Sequence, residues 1–394
     1  MKTNRVVSLG LVFLLLVSFV LAAGCSKETI IETATTELDL SGKQLKDIPQ
    51  LPANLTKLNL SGNYISDISP LSSLTKLKEL DLSHNPIKDI SLLSHLPNLT
   101  KLSMESIGMN DFSALPSLSN LKELDLADNL VSTGHRISDI SFLTKFTGLT
   151  KLDLHGKDIS DISPLFSLTN LTELSLWAND EISDIRPLSS LTHLTNLDLA
   201  TNSISDISPL SNLNNLKVLK LSSNPLTDLS PLSSLRKLTN LAISWNYWVA
   251  MSDISPLSSL SNLVELELRY NNIKDISPLS KLTRLTNLNL AGNQIIDISA
   301  LSKLTSLKEL KLGSNQIISL SPLSKLTKLT DLELWGNQII DMSPLWINQG
   351  LGKGDKINIQ DNPLSGDSLG KYIPKLQQRG VRIEYGPGVK PVPQ

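Results

Sequence analysis

The hydrophobic positions of this chain recur in one unit, seen in Leu58-Asn59-Leu60-Ser61-Gly62-Asn63, Leu80-Asp81-Leu82-Ser83-His84-Asn85 and Leu197-Asp198-Leu199-Ala200-Thr201-Asn202. The first leucine of the unit falls at 38, 58, 80, 102, 124, 152, 174, 197, 219, 241, 266, 288, 310 and 332, and Ile357 and Ile383 continue the series. Nine of the intervals are 22 residues, and the longer ones locate insertions. Reading from 38 to 383 counts fifteen repeats. Self-similarity at this period predicts a solenoid, in which each repeat packs on its neighbours and the array lengthens without a central core.

Within the unit, Leu-x-Leu alternates with period two. Both leucines point inward and the residue between them points out, which predicts a short strand. Strands of successive repeats stack in parallel about 4.8 Å apart, so about fourteen steps give a sheet arc of roughly 70 Å. The Asn that follows sits where the chain turns inward. Its amide donates to and accepts from backbone groups that burial would otherwise leave unpaired. Asn holds this column at 63, 85, 129, 179, 202, 224, 246, 271, 293, 315, 337 and 362, whereas Lys43, Ile107 and Lys157 depart from it. The ladder is expected to be poorest at Ile107. Asp-Ile-Ser-Pro-Leu recurs at 67, 161, 206, 253 and 275. Asp and Ser cap turns and Pro suits the first turn of a short helix. That role accounts for the Asp column, and no calcium-binding nonapeptide is present, so no metal site is expected.

The pattern L-x-L-x-x-N followed by I-x-D-I-S-P-L-S-x-L resembles the leucine-rich repeat of the SDS22-like, internalin type, over about Leu38 to Tyr385. The resemblance implies an α/β right-handed solenoid, or horseshoe. Its parallel sheet would line the concave face, with short 3-10 or irregular turns on the convex face. It also implies protein recognition, with host-cell adhesion as one version. The atypical first repeat, with Ile48-Pro49-Gln50-Leu51-Pro52, and the drifting last units around Gly350 to Ile359 fit capping of the exposed ends.

The first residues are a separate device. Lys2 and Arg5 precede an apolar run from Val6 to Ala23 that ends in Leu21-Ala22-Ala23-Gly24-Cys25. Small residues before a cleavage point indicate a secretory signal. This one resembles a bacterial lipoprotein signal, which implies cleavage before Cys25 and lipidation there. An ordinary signal peptide and a single membrane helix are the alternatives. Cys25 is the only cysteine of the chain, so no internal disulfide competes for it. Acyl chains bury methylenes at about 0.8 kcal/mol each and would hold the protein on a membrane. The expected organisation is a signal peptide at 1–24, a lipidated Cys25 and tether at 25–37, one repeat domain at 38–385 and a disordered tail at 386–394. No Leu-Pro-x-Thr-Gly sorting signal is seen, which leaves anchoring to Cys25.

Charge is nearly balanced, with 36 basic and 38 acidic residues, and gives no electrostatic footprint for nucleic acid. Loss of the leader removes Lys2 and Arg5 and leaves 34 basic residues against 38 acidic ones. The five histidines, at 84, 95, 135, 155 and 193, show no metal-ligand spacing, and no glycine-rich phosphate loop occurs. The chain reads as non-enzymatic and cofactor-free. The candidate partner site is aromatic. After the second leucine most repeats carry small residues, such as Ser61, Ser83, Ala200 and Gly313. Trp177 and Trp335 break that column, Trp245 and Tyr270 break the next one in adjacent repeats, and Arg269 lies beside Tyr270. The insertion that holds Tyr247 and Trp248 leaves the same turn. Clustered Trp, Tyr and Arg are typical of interface anchors. The rings can also stack on a sugar, or pack on one another and stabilise the sheet. A protein ligand is the leading expectation. An envelope scaffold and glycan binding are the alternatives.

Overall fold

The computed structural model describes residues 35–109, 111–127, 137–246 and 251–386. Sixteen strands of three residues, β1 (Glu37–Asp39) to β16 (Arg382–Glu384), pair in parallel and in chain order in one sheet. This is one strand more than the count of fifteen repeats, because the array begins and ends on a strand. The horseshoe solenoid of the sequence reading is the observed fold. Register follows the leucines: Leu219 of β9 (Val218–Lys220), Leu241 of β10 (Asn240–Ala242) and Leu266 of β11 (Glu265–Glu267) lie side by side.

The leucines make the core. Between Leu197 and Leu216 seven apolar side chains, Leu197, Leu199, Ile204, Ile207, Leu210, Leu213 and Leu216, are no more than 1% exposed. Each such side chain contributes about 1.5–3 kcal/mol by leaving water. The return path is a single 3-10 turn in most repeats, as at Ser208–Asn212. The turns have apolar N-caps without side-chain capping bonds, for example Ile207. This corrects the expected role of the Asp. It sits one residue earlier, and its Oδ1 accepts the N–H of the serine two residues on, as from Ser208 to Asp206 at 2.8 Å. At the C-terminal end, α1 (Ser343–Ile347) and α2 (Ile373–Gln378) replace this pattern. There Arg379 lies 3.7 Å from the centre of the half-buried Trp346 ring, which belongs to the cap.

The asparagines form the ladder. Asn293 donates to the carbonyls of Leu268 and Leu290 at 2.9 Å and accepts the Ile273 N–H at 3.1 Å. Where Ile107 replaces Asn the ladder lacks that amide, and the Ile87 N–H bonds to the Asn85 carbonyl of its own repeat at 2.9 Å, as Leu226 does to Asn224 and Leu364 to Asn362 at the other Asn-Pro turns. A second gap lies at Asn202, whose buried Oδ1 has no partner among the described residues. The 23-residue spacing from Leu174 to Leu197 carries one extra residue, and the Ile182 N–H that would serve Asn202 bonds to the Asn179 carbonyl instead.

Two outcomes follow. Asn293→Ala removes both donors and the acceptor from buried carbonyls and a buried N–H, and is expected to lower stability by about 2–4 kcal/mol. Asn202→Ala, with one fewer bond to lose, is expected to cost less. Urea unfolding of both variants measures the difference, and equal losses would contradict the ladder account. The second outcome concerns acid. Asp67, Asp161, Asp206, Asp253 and Asp297 are held below the ordinary aspartate value of 3.8, first by the serine N–H and then by its hydroxyl. Asp184 falls to about 2, mainly through the Arg186 side chain. Their contribution is complete above 3.8 and is lost as pH falls through the lowered values. Burial raises Asp125 and Glu267, which oppose this, but the turn aspartates outnumber them. Thermal midpoints followed by circular dichroism should therefore fall steadily from pH 4 towards pH 2 (roughly the span set by the ordinary and lowered carboxyl values). A flat profile there would refute the assignment.

Candidate functional site on the concave sheet

The fold leaves a few outward positions on each strand: before, between and after the leucines. The residue two after the second leucine also takes a left-handed backbone in repeat after repeat. Glycine fills it at Gly62 (φ 66°), Gly292 (φ 71°) and Gly336 (φ 65°). Trp245 (φ 64°) and Tyr270 (φ 53°) adopt the same conformation with bulky side chains. Such residues are uncommon there and carry strain of order 1–3 kcal/mol.

The two rings stack with centroids 4.0 Å apart and planes 20° apart. Arg269 lies 5.5 Å from the Trp245 ring centre. The Tyr270 ring fills the space beside Gly292, where an added Cβ would come within 2.4 Å of it. Tyr270 is thus sandwiched between Trp245 and the backbone of the next repeat. Trp335 rests in the same way on Gly313, whose Cβ would meet the indole at 2.3 Å. All three rings are half-buried, whereas Arg269 is exposed. Beneath them Glu267 is pushed upward by burial, against a hydrogen bond from Asn289 and the charge of Arg269.

A second arrangement lies nearer the N-terminus. Strands β4 (Lys101–Ser103), β5 (Glu123–Asp125), β6 (Lys151–Asp153), β7 (Glu173–Ser175), β8 (Asn196–Asp198) and β9 line an open cavity of about 540 Å³. Trp177 lines it and is 45% exposed. Its ring centre is 5.3 Å from that of His155, whose Nδ1–H donates to Asp153 Oδ1 at 3.0 Å. Three lysines of the lining are matched: Lys101 to Glu123 at 3.3 Å, Lys151 to Glu173 at 3.2 Å and Lys220 to Asp198 at 2.9 Å. Asp125 and Asp153, opposite one another on β5 and β6, have no lysine partner among the described residues. Burial raises Asp125, and the charges of Asp153 and Glu105 add to the effect. Among the described residues no group of three His, Cys, Asp or Glu side chains could hold a metal ion.

The family model "Leucine Rich repeats (2 copies)" matches residues 53–95, 75–117, 147–188, 169–212, 261–303 and 305–345, and the model "Leucine Rich Repeat" matches residues 215–238. An internalin (InlF) of Listeria monocytogenes is 36% identical, over 81% of this chain and 86% of that one, with a TM-score of 0.62. The chain belongs to the leucine-rich repeat family, in its internalin branch. The functional domain of InlJ from Listeria monocytogenes is 25% identical, over 82% of this chain and 74% of that one, with a TM-score of 0.64. That domain includes a cysteine ladder, whereas this internalin-type chain has one cysteine and builds its ladder from asparagine. The Leptospira interrogans LRR protein LIC12759 shares the fold at 24% identity and a TM-score of 0.73, over 89% of this chain and 96% of that one. No sequence among the curated proteins matches the chain.

The internalin-type array brings Trp245, Arg269 and Tyr270 together, as their columns predict. Trp177 lies three strands before this cluster and Trp335 three strands after Tyr270, about 14 Å away at the usual strand spacing. Tyr247 and Trp248 lie outside the described residues. The sequence reading missed Asp125, Asp153, His155 and the paired lysines, because it compared only the columns after the second leucine. The column between the leucines held the signal: aspartate at 39, 81, 125, 153 and 198.

A double-mutant cycle tests the stack. Trp245→Ala and Tyr270→Ala are expected to couple by about 0.5–1.5 kcal/mol in urea unfolding. Additive losses would mean that the rings sit side by side without supporting each other.

Proposed function

We propose that the chain is a non-enzymatic, surface-displayed bacterial binding module, exported and held on a membrane by lipid at Cys25, that takes a protein partner on its concave face in internalin-like adhesion or recognition. Internalin relatives support a surface location and a protein-interaction scaffold. One observation carries the reading. The repeats place Ser, Ala or Gly at the outward positions after the leucines, yet Trp177, Trp245, Arg269, Tyr270 and Trp335 stand there instead, two of them on strained backbone. Large aromatics and arginine are the side chains that supply interface anchors. Glycan stacking needs a free ring face. The covered faces of Tyr270 and Trp335 favour a protein ligand there, and only the open ring of Trp177 is left for stacking among these described rings. Nucleic acid is disfavoured by the balanced charge.

The anchor and the surface are tested together. Labelled palmitate is expected on the exported chain and not on Cys25→Ala, and label on the variant would overturn the lipid site. The full chain, purified in mild detergent, should capture its partner from candidate cell surfaces. Replacing Trp177, Trp245 and Tyr270 by Ala should weaken capture at least tenfold, while convex Phe166→Ala leaves it unchanged. Equal capture by both variants would remove the concave face from the mechanism.

A further inference from the structure

We infer that the cavity on β4 to β9 seats a lysine or arginine side chain of the partner, entering between Asp125 and Asp153 with Trp177 against it. This deepens the concave-face reading and rests on it, because it names the chemistry that one part of that face recognises. The cavity is an open site of about 540 Å³, and its lining combines an exposed indole with carboxylates. That pairing of a π-face with an anion is the chemistry that holds a protonated amine or a guanidinium.

The charge pattern singles out the same two residues. In the column before the first leucine, Glu37, Lys57, Glu79, Lys101, Glu123, Lys151 and Glu173 alternate without a break. Lysines and glutamates of that column pair at 3.1–3.3 Å across neighbouring strands and cancel. The column between the leucines does not cancel. Asp198 has Lys220 and Asp153 has the His155 imidazole at 3.0 Å, while Asp125, opposite Asp153 on the adjacent strand, has no ion pair among the described residues.

The turn does not explain their charge. Asp125 Oδ1 accepts the Ala127 N–H at 3.0 Å and Asp153 Oδ1 accepts the His155 N–H at 3.0 Å. Asn59, Asn289 and Asn358 accept the equivalent N–H with a neutral amide oxygen at 2.9–3.1 Å. An asparagine therefore builds the turn equally well. The carboxylates at 125 and 153 add repulsion that burial of Asp125 makes worse. A cation placed between them relieves it. Among the described residues no three clustered ligands for a metal ion occur, whereas an ammonium or guanidinium uses two carboxylates and a ring.

Trp177 supports the placement. Its neighbours in the same column are His155 on one side and Ala200 on the other, so the indole stands beside a small residue at the cavity edge. Unlike Trp245 and Tyr270, it does not use the left-handed backbone, and it keeps 45% of its surface in solvent.

A fluorescent octapeptide of alternating lysine and glycine is the probe, read by anisotropy with the full chain in mild detergent. Binding is expected, weakening as salt is raised and absent for the Nε-acetylated peptide. Asp125→Asn combined with Asp153→Asn should weaken it about tenfold or more, and Trp177→Ala about threefold or more. Convex Phe166→Ala should leave it unchanged, and so should Glu309→Gln combined with Glu333→Gln, an acidic control elsewhere on the sheet. The Asp125→Asn and Asp153→Asn chain should melt no lower than the parent, because Asn keeps the turn. A lower melting temperature would make the carboxylates structural and overturn the inference. So would a parent chain that ignores the peptide, or equal losses in the Glu309 and Glu333 control. Partner capture that depends on Trp245 and Tyr270 but not on Asp125, Asp153 or Trp177 would overturn this inference alone and leave the concave-face reading standing.

Discussion

An asparagine amide that bonds to two repeats at once is the contact on which the sheet depends. Strands of three residues form few ladder bonds, and the chain then turns inward into a leucine core. Each turn buries carbonyls and an N–H, and a buried polar group without a partner costs about 1–3 kcal/mol. One Asn resolves this for two neighbouring turns. Asn224 donates to the Leu199 carbonyl of the preceding repeat and the Leu221 carbonyl of its own at 2.8 and 3.1 Å, and accepts the Ile204 N–H at 3.0 Å. Irregular places obey the same requirement. At the Asn-Pro turns, such as Asn85 to Ile87 before the repeat of Ile107, the backbone closes on itself, and at Asn202 one extra residue diverts the donor and leaves an oxygen unserved.

Because leucine, asparagine and the Asp-Ser-Pro turn are committed to the fold, variation is confined to the outward positions of the strands. A repeat contacts only its neighbours, so a change at one strand spreads little. The array uses this freedom in two ways. Its first seven strands carry an alternating Glu and Lys column in which each lysine is paired with the glutamate of the next strand. The column beside it carries aspartates whose Oδ1 already serves the turn. Charge is thereby added to the concave face without altering the backbone bonds that shape it.

The fold was legible because its determinants are periodic. The leucines of Leu-x-Leu lie opposite one another in every strand pair, and most described asparagines of the column are buried and bonded where their spacing places them. The turn aspartates were assigned to the right segment but not the right atom pair, since a 3-10 turn with an apolar N-cap moves the acceptor one residue back. The aromatic cluster was legible in part. Adjacent columns gave the contact of Trp245 with Tyr270. Column analysis says nothing of how a ring is covered, and so could not distinguish Trp335, which lies on Gly313, from Trp177, which stands open. The cavity went unseen because it is a sum over six strands, and its two aspartates without lysine partners emerge only after the described lysines are paired off in space.

The rings divide by backbone. Trp245 and Tyr270 occupy positions that the solenoid forces into the left-handed region, where Ala178, Thr201 and Ser223 bear the same φ with less bulk. Their strain is offset by stacking on each other and on Gly292, so much of their surface is spent on the array. Trp177 sits one residue earlier in its repeat, on ordinary backbone, and is the more exposed. A ring locked between repeats presents a stiff edge with little rotamer freedom to lose on contact, whereas an open indole offers a face that contact must order. The concave sheet therefore carries a rigid aromatic ridge at β10 and β11 and an adaptable aromatic rim at β7. The separation arises from a single residue of phase between the column that tolerates side chains and the column that asks for glycine.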